Sequence, residues 1–144
     1  MSKDPRNNGG CRKKMKRGDV VIDRIVIPVL DESGLNARLS EHFGRAPYFA
    51  VIDLDENGII LNLRTESNVS EHFGGTGRPP DRILQFQPNA LITYEMGPRA
   101  LSIFQDARVA VLRANGDIVK EVVTAYTKNE LVELTEGCQH ARHQ

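Results

Sequence analysis

Short apolar segments rich in β-branched residues recur along this chain and predict a series of strands. Five such segments stand out: Arg24–Leu30, Tyr48–Asp53, Ile59–Glu66, Asn89–Tyr94 and Arg108–Arg113. The first is almost continuously apolar, which is typical of a buried strand. The turn sequence Asp-Glu-Asn-Gly separates the second and third segments, so these two are predicted to pair as a β-hairpin.

Segments with a helical spacing of apolar residues alternate with the later strands. Helices are predicted at Pro79–Gln87, Gly97–Phe104 and Asp117–Tyr126, with a short final helix at Lys128–Leu134. A hairpin followed by alternating helices and strands predicts an α/β fold with a mixed sheet, because crossover helices join parallel strands. Ordered structure is expected to begin near Asp23.

Length and composition indicate one domain of ordinary globular character. The 144 residues are 40% hydrophobic and 26% charged, which suits a single core. No apolar run approaches the roughly 20 residues that a membrane span needs. The basic N-terminus also lacks the apolar stretch of a secretory signal. A cytoplasmic location is therefore expected.

Charge is distributed unevenly along the chain. Residues 1–19 carry seven Lys/Arg and two Asp, a balance of +5, and the remainder carries 12 basic and 17 acidic residues, a balance of −5. Because the opening segment has neither helical nor strand periodicity, residues 1–22 are predicted to be a disordered basic tail. An arm that binds nucleic acid or an acidic partner is the alternative, although the tail has no aromatic residue to stack on bases.

The pentapeptide Ser-Glu-His-Phe-Gly occurs twice, at Ser40–Gly44 and Ser70–Gly74. The candidate metal ligands are the four histidines and one of the two cysteines, namely His42, His72, Cys138, His140 and His143. The first two lie in the repeat, and the others form a Cys-x-His-x-x-His tail. Imidazole and thiolate are ligands of soft and borderline metals. The pattern predicts a protein that handles a metal or a metal cluster; a chance repeat with a basic tail is the alternative.

In open α/β sheets, ligands bind beyond the carboxyl ends of the parallel strands, near the point where strand order reverses. Three loops are predicted to meet there: Ser40–Gly44, Ser70–Gly77 and Glu95–Pro98. Glycines in these loops let backbone N–H groups at helix starts approach a bulky anion. Nearby positive charge would come from Arg45, Arg78 and Arg99. A tight strand-to-helix turn is the alternative explanation of Gly-Gly-Thr-Gly.

The run Ser-Glu-His-Phe-Gly-Arg-Ala-Pro-Tyr-Phe at Ser40–Phe49 is the most specific motif in the chain, and Gly74–Gly77, Ala90–Tyr94 and Met96–Ala100 agree with it. At these residues the sequence closely resembles the dinitrogenase iron–molybdenum cofactor family, which includes NifX-type carriers and the carboxy-terminal domain of NifB. The resemblance covers nearly everything outside the two tails. Residues 23–134 are therefore interpreted as a cofactor-binding-like domain, followed by a flexible Cys/His tail at residues 135–144.

The resemblance implies a ribonuclease-H-like α/β fold with a five-stranded mixed sheet of order 3-2-1-4-5 and about three helices. It also implies a non-catalytic protein that binds, carries or stores an iron–sulfur or molybdenum-containing cluster or its precursor, exchanged with a cofactor donor or acceptor protein. The cofactor-binding residues would be His42, Arg45, Gly74, Gly75, Thr76, Gly77 and Gly97. The metal ligands would be His42, His72, Cys138, His140 and His143.

A metal-dependent hydrolase or nuclease on the same fold is the main alternative. Two-metal chemistry needs carboxylates that converge on the metals. The first strand has no carboxylate between its ends, and Asp53 and Asp55 are expected at the hairpin end, away from the pocket. Neither a membrane nor a nucleic acid is expected as a partner, and the protein is predicted to be a monomer or a weak dimer.

Overall fold

The computed structural model describes residues 15–17, 20–42, 45–68 and 79–134. The strands in these ranges are β1 (Met15–Arg17), β2 (Val20–Val29), β3 (Tyr48–Leu54), β4 (Ile60–Ser67), β5 (Ala90–Thr93), β6 (Ala110–Arg113) and β7 (Val132–Glu133). The α-helices are α1 (Pro79–Leu84), α2 (Pro98–Asp106) and α3 (Val119–Thr127). No helix in the described part of the chain is long and apolar enough to cross a membrane.

The sheet has the strand order β4-β3-β2-β5-β6-β7, and β1 pairs with the first residues of β2 outside this path. Strands β2, β3 and β4 pair antiparallel, whereas β5 lies parallel to both β2 and β6. At the β6 edge, β7 runs antiparallel to β6. The chain therefore adds β3 and β4 on one side of β2, then crosses back and adds β5, β6 and β7 on the other side.

Helices cover both faces of the sheet, which explains why β2 is apolar at nearly every position. On one face Ile25 and Ile27 pack in a core cluster with Tyr126 of α3. On the other face Val26 packs in a cluster with Phe104 of α2. Because consecutive strand residues point to opposite faces, a strand covered on both sides needs apolar residues throughout.

The predicted α/β class, the mixed sheet and three helices are confirmed. The order implied for five strands recurs as β4-β3-β2-β5-β6. The prediction of a five-stranded sheet is wrong, because six described strands lie along the sheet path and β1 pairs with β2 in addition. The ribonuclease-H-like assignment stays a prediction.

The short final helix predicted at Lys128–Leu134 is wrong, because α3 ends in a Schellman motif. Asn129 adopts a φ of 61°, a left-handed conformation that asparagine tolerates after a helix. Its N–H donates to the Tyr126 carbonyl at 3.0 Å, and the Glu130 N–H donates to the Ala125 carbonyl at 2.9 Å. The chain then turns back to pair with β6 as β7.

Extended structure begins earlier than the expected start near Asp23. Strand β1 pairs antiparallel with β2, with Arg17 opposite Val20 and Met15 opposite Ile22. Part of the segment predicted as a disordered tail, residues 1–22, therefore lies in strands whose backbone groups have partners. Residues 1–14 and 135–144 lie outside the described ranges, and the remaining domain assignments stay predictions.

Candidate functional site

A cavity of about 480 Å³ opens at the carboxyl end of β2. The parallel pairing of β2 with β5 involves Ile25 and Val26, whereas Val29 near the end of β2 bridges Leu39 instead. The end of β2 is thus separated from β5 by an inserted segment. This is the point where the strand order reverses, which is where open α/β sheets bind ligands.

The inserted segment, residues 37–40, is held from two sides by backbone hydrogen bonds. On the β2 side, the Leu30 N–H donates to the Arg38 carbonyl at 2.8 Å and the Ser40 N–H donates to the Pro28 carbonyl at 2.9 Å. On the α3 side, the Leu39 N–H donates to the Asp117 carbonyl at 2.9 Å. These backbone hydrogen bonds hold residues 37–40 in place as the floor of the cavity.

The described residues that line the cavity come from the end of β2, from residues 38–45 and from the residue two positions before α3: Leu30, Arg38, Leu39, Ser40, Glu41, His42, Arg45 and Asp117. Two lining residues are cationic and two are anionic, so the formal charges balance if the histidine is neutral. The wall is therefore polar and of mixed sign around a partly apolar floor.

A serine turn presents His42 to the cavity. Ser40 is buried, and its hydroxyl donates to the His42 carbonyl at 3.0 Å and accepts from the His42 N–H at 3.2 Å. The Arg45 N–H donates to the same carbonyl at 3.1 Å. The imidazole is exposed, and no described residue forms a hydrogen bond with its ring. With respect to the described residues, the two ring nitrogens of His42 are thus accessible to a ligand.

The two arginines of the wall, Arg38 and Arg45, are exposed. Neither guanidinium forms an ion pair with a carboxylate in the described part of the chain, where the ion pairs present join other residues. Arginine offers a planar fork of donors that suits oxyanions and other anions. Two such groups beside an accessible imidazole favour an anionic ligand.

Tyr94, just after β5, connects the acidic side of the cavity to the sheet. Its hydroxyl lies 2.9 Å from the Gly116 carbonyl oxygen and 2.9 Å from Oδ1 of Asp117. Burial, followed by the hydrogen bond to Asp117 and that carboxylate's charge, raises the pKa of Tyr94 to about 12. The charge of Glu41 acts in the same direction and that of Arg38 opposes it, so the opposing charges converge near one hydroxyl.

The structure brings some predicted site residues together and separates another. His42 and Arg45 line the cavity. Gly97 instead forms the N-cap of α2 and does not line this cavity. The space beside its Cα is open, because an added Cβ would meet no atom within 4 Å. The other candidates lie outside the described residues: His72, Gly74, Gly75, Thr76, Gly77, Cys138, His140 and His143. The ligand role of every candidate stays a prediction.

Sequence reasoning missed Arg38, Asp117 and Tyr94. Arg38 lies between two buried residues, Ala37 and Leu39, and this alternation is a signal of extended backbone with Arg38 facing outward. The apolar spacing predicts Asp117 at the start of a helix, and no local pattern places it beside residues almost 80 positions earlier. Only the packing of α3 against residues 37–40 brings them into one wall.

The described residues do not form a complete protein site for a single metal ion. Among residues 22–42, 45–68 and 80–134, no group of three His, Cys, Asp or Glu side chains is placed to hold one. Asp53, considered for a nuclease, is held by Arg24 through a 2.7 Å bond to its guanidinium, far along β3 from the cavity end. The described carboxylates therefore do not converge as two-metal hydrolysis requires.

Comparison with known proteins places the chain among cofactor-related proteins. The family model described as dinitrogenase iron-molybdenum cofactor matches residues 24–129. An uncharacterised protein of Methanocaldococcus jannaschii, MJ0580, is 31% identical over 98 residues, which are 67% of this chain and 82% of that protein.

Two solved structures are similar over most of the chain. The crystal structure of PH0822 has a TM-score of 0.65 and 26% identity, covering 78% of this chain and 96% of that one. The NMR structure of TM1290 from Thermotoga, described as a candidate NifB protein, has a TM-score of 0.63 and 28% identity, covering 78% of this chain and 94% of that one.

Proposed function

Because the chain belongs to the dinitrogenase iron-molybdenum cofactor family, we propose that it binds and carries or stores a metal–sulfur cluster without transforming it. The cargo is an iron–sulfur or molybdenum-containing cluster or a precursor, exchanged with a donor or acceptor protein. The similarity to TM1290, described as a candidate NifB protein, supports a place in cofactor handling. The observation that carries the proposal is the shared cavity of His42, Arg38 and Arg45.

The chemistry of the cavity suits such a cargo. Metal–sulfur clusters are anions whose metals take thiolate or imidazole ligands and whose sulfurs accept hydrogen bonds. His42 would supply an imidazole, while Arg38 and Arg45 would donate to sulfur and offset negative charge. The cavity volume of about 480 Å³ lies within the range of small-ligand sites.

The exposure of His42 on a loop suits carriage better than permanent binding. A cluster brings its own sulfides, so each of its metals needs fewer protein ligands than a lone ion does. An exposed imidazole on a loop can dissociate more readily than a closed set of four ligands. Further contacts are proposed from His72 and from the backbone at Gly74, Gly75, Thr76, Gly77 and Gly97.

The Cys/His tail is proposed as a second group of ligands and needs a separate test. Strand β7 runs antiparallel to β6, and the Leu134 N–H donates to the Val111 carbonyl at 2.7 Å. At Leu134 the chain is therefore directed away from the cavity end of the sheet. Cys138 follows four residues later, a reach of at most about 14 Å. Cys138, His140 and His143 would join the His42 cavity only if the chain turned back.

Anaerobic purification followed by iron, molybdenum and sulfide analysis and a visible spectrum tests the proposal directly. The double variant His42→Ala/His72→Ala is expected to take up cluster at least about tenfold less well, because it removes both repeat imidazoles. Arg64→Ala is the matched control, since Arg64 lies on β4 and pairs with Glu66 at 2.8 Å. The triple variant Cys138→Ser/His140→Ala/His143→Ala reports on the tail.

Unchanged uptake by the double variant would contradict the proposed cavity. Loss confined to the triple variant would move the cluster to the tail. Absence of metal and sulfide from anaerobic protein, together with magnesium- or manganese-dependent cleavage of nucleic acid, would favour the hydrolase alternative.

A further inference from the structure

The cavity wall contains two carboxylates that oppose the cargo proposed for it. Arg38 and Arg45 attract an anion, whereas Glu41 and Asp117 repel it. A site selected only for tight storage of an anion would gain from losing both carboxylates. Tight binding of an anion therefore does not explain why the two carboxylates are present.

Asp117 differs from Glu41 because several elements fix its position. Its Oδ1 lies 2.9 Å from the Tyr94 hydroxyl at the end of β5. Its backbone carbonyl accepts from the Leu39 N–H at 2.9 Å, and its backbone N–H donates to Oε1 of Glu121 at 3.3 Å. Glu41 is exposed, and its carboxylate accepts no hydrogen bond from the described residues. The charge on Asp117 is thus held at the wall.

The location of Asp117 also keeps its charge in place. It stands immediately before Ile118, the N-cap of α3, and the positive end of a helix macrodipole stabilises a nearby carboxylate. Gly116, directly before it, approaches Glu121 so closely that a Cβ would lie 2.6 Å from that side chain's Oε1. A side chain at position 116 would therefore collide with Glu121, and glycine lets the backbone beside Asp117 lie close to α3.

We propose that Asp117, positioned by the Tyr94 hydroxyl, is the residue that limits the affinity of the cavity for an anionic cluster and so permits its release. The inference rests on the proposed carrier function. A bound anion experiences attraction from two arginines and a fixed repulsion from one carboxylate. Because the repulsion is strongest at contact distance and is largely screened beyond about 10 Å, it shortens the lifetime of the complex more than it slows encounter.

Asp117→Asn tests the inference with little structural change, since the amide oxygen can still accept from Tyr94. The probe is tetrathiomolybdate, a coloured metal–sulfur dianion, titrated anaerobically into the full chain. We expect Asp117→Asn to bind about threefold to tenfold more tightly, chiefly through slower dissociation, because one partly screened charge is removed. Asp106→Asn, an exposed residue at the end of α2, is the control and should bind as the unaltered protein does.

Tyr94→Phe provides a second measurement on the positioning role. It leaves the carboxylate charged but removes the hydroxyl that holds it, so tighter binding by a smaller factor is expected, and Tyr94→Phe/Asp117→Asn should match Asp117→Asn alone. A merely structural role for Tyr94 would instead weaken binding in both variants.

The outcomes separate the two proposals. If the unaltered protein binds the probe and Asp117→Asn binds equally or more weakly, the release role is wrong while carriage stands. If neither protein binds tetrathiomolybdate, both proposals fail for this class of anion. A matching thermal unfolding curve for Asp117→Asn would show that a loss of binding is not a loss of folding.

Discussion

The two ends of the sheet carry the same kinds of polar residue in opposite circumstances. In the first half of β2, level with the start of β5, Arg24 forms a two-pronged contact with Asp53, at 2.7 and 3.2 Å, and donates to the Phe86 carbonyl at 2.8 Å. At the carboxyl end, Arg38 and Arg45 form no ion pair with a described carboxylate. Arg24 is thus paired within the folded structure, whereas the guanidinium groups of Arg38 and Arg45 are available to bind a ligand.

The tyrosine–aspartate pairs repeat the contrast. Tyr126 donates to Oδ2 of Asp23 at 2.6 Å, and both residues are 1% exposed. Tyr94 contacts Asp117 at a similar distance, but this carboxylate is exposed at the cavity wall. A polar group that is buried with its partner contributes chiefly to stability, because leaving it unpaired is costly. A polar group at a cavity wall can change binding with little effect on folding.

The largest effect is expected at the amino end, from Arg24→Met. The side chains of Arg24 and Asp53 are only 12% and 9% exposed, so the variant leaves a nearly buried carboxylate without its counter-charge. The free energy of unfolding is expected to fall by about 3 kcal/mol, measured by urea denaturation. Arg64→Met, at a pair with 38% and 41% exposure, should cost under about 1 kcal/mol. An equal loss of unfolding free energy in the two variants would show that the buried pair contributes no more to stability than the exposed pair.

Tyr126→Phe should have the next largest effect. It removes the donor to buried Asp23, whose other oxygen, Oδ1, has no hydrogen-bond partner among the described residues. A loss of about 1–3 kcal/mol is expected, from the same denaturation measurement, with tetrathiomolybdate binding unchanged. Altered binding would show that the two ends of the sheet are coupled.

Tyr94 should show a smaller stability effect and a distinctive titration. With the folded pKa raised from 10.0 to about 12, its protonated form stabilises the fold below pH 10, and this contribution is lost as pH rises from about 10 to about 12. Ultraviolet titration of the phenolates should therefore contain a late component whose amplitude falls by one tyrosine in Tyr94→Phe. An unchanged amplitude at high pH in this variant would contradict the described contact with Asp117.

The smallest stability effect is expected for Arg38→Ala and Arg45→Ala. Both side chains are exposed and without described ion-pair partners, so the free energy of unfolding should change by less than about 0.5 kcal/mol. Binding of tetrathiomolybdate should nevertheless weaken and lose part of its salt dependence. A large loss of stability with unchanged tetrathiomolybdate binding would show that these two arginines stabilise the fold and do not bind the anion.

Part of the candidate site could be predicted from the sequence, because its chemistry is concentrated in one local motif. His42 and Arg45 lie three residues apart, and both line the cavity. Asp117 joins them because the start of α3 is hydrogen-bonded to residues 37–40, and Tyr94 joins them through its contact with Asp117. The spacing of residues along the sequence does not indicate these contacts. Gly97, at the N-cap of α2, does not line this cavity.

The sequence alone determined the α/β class, most strands and three helices, because the pattern of apolar residues follows which faces must be buried. The tertiary structure decided that residues 128–134 end in a strand, since a left-handed Asn129 and the open edge of β6 outweighed local helical spacing. It also decided which charges are paired and which face the cavity. Ion pairing depends on distances between atoms far apart in the chain, and only the folded sheet sets those distances.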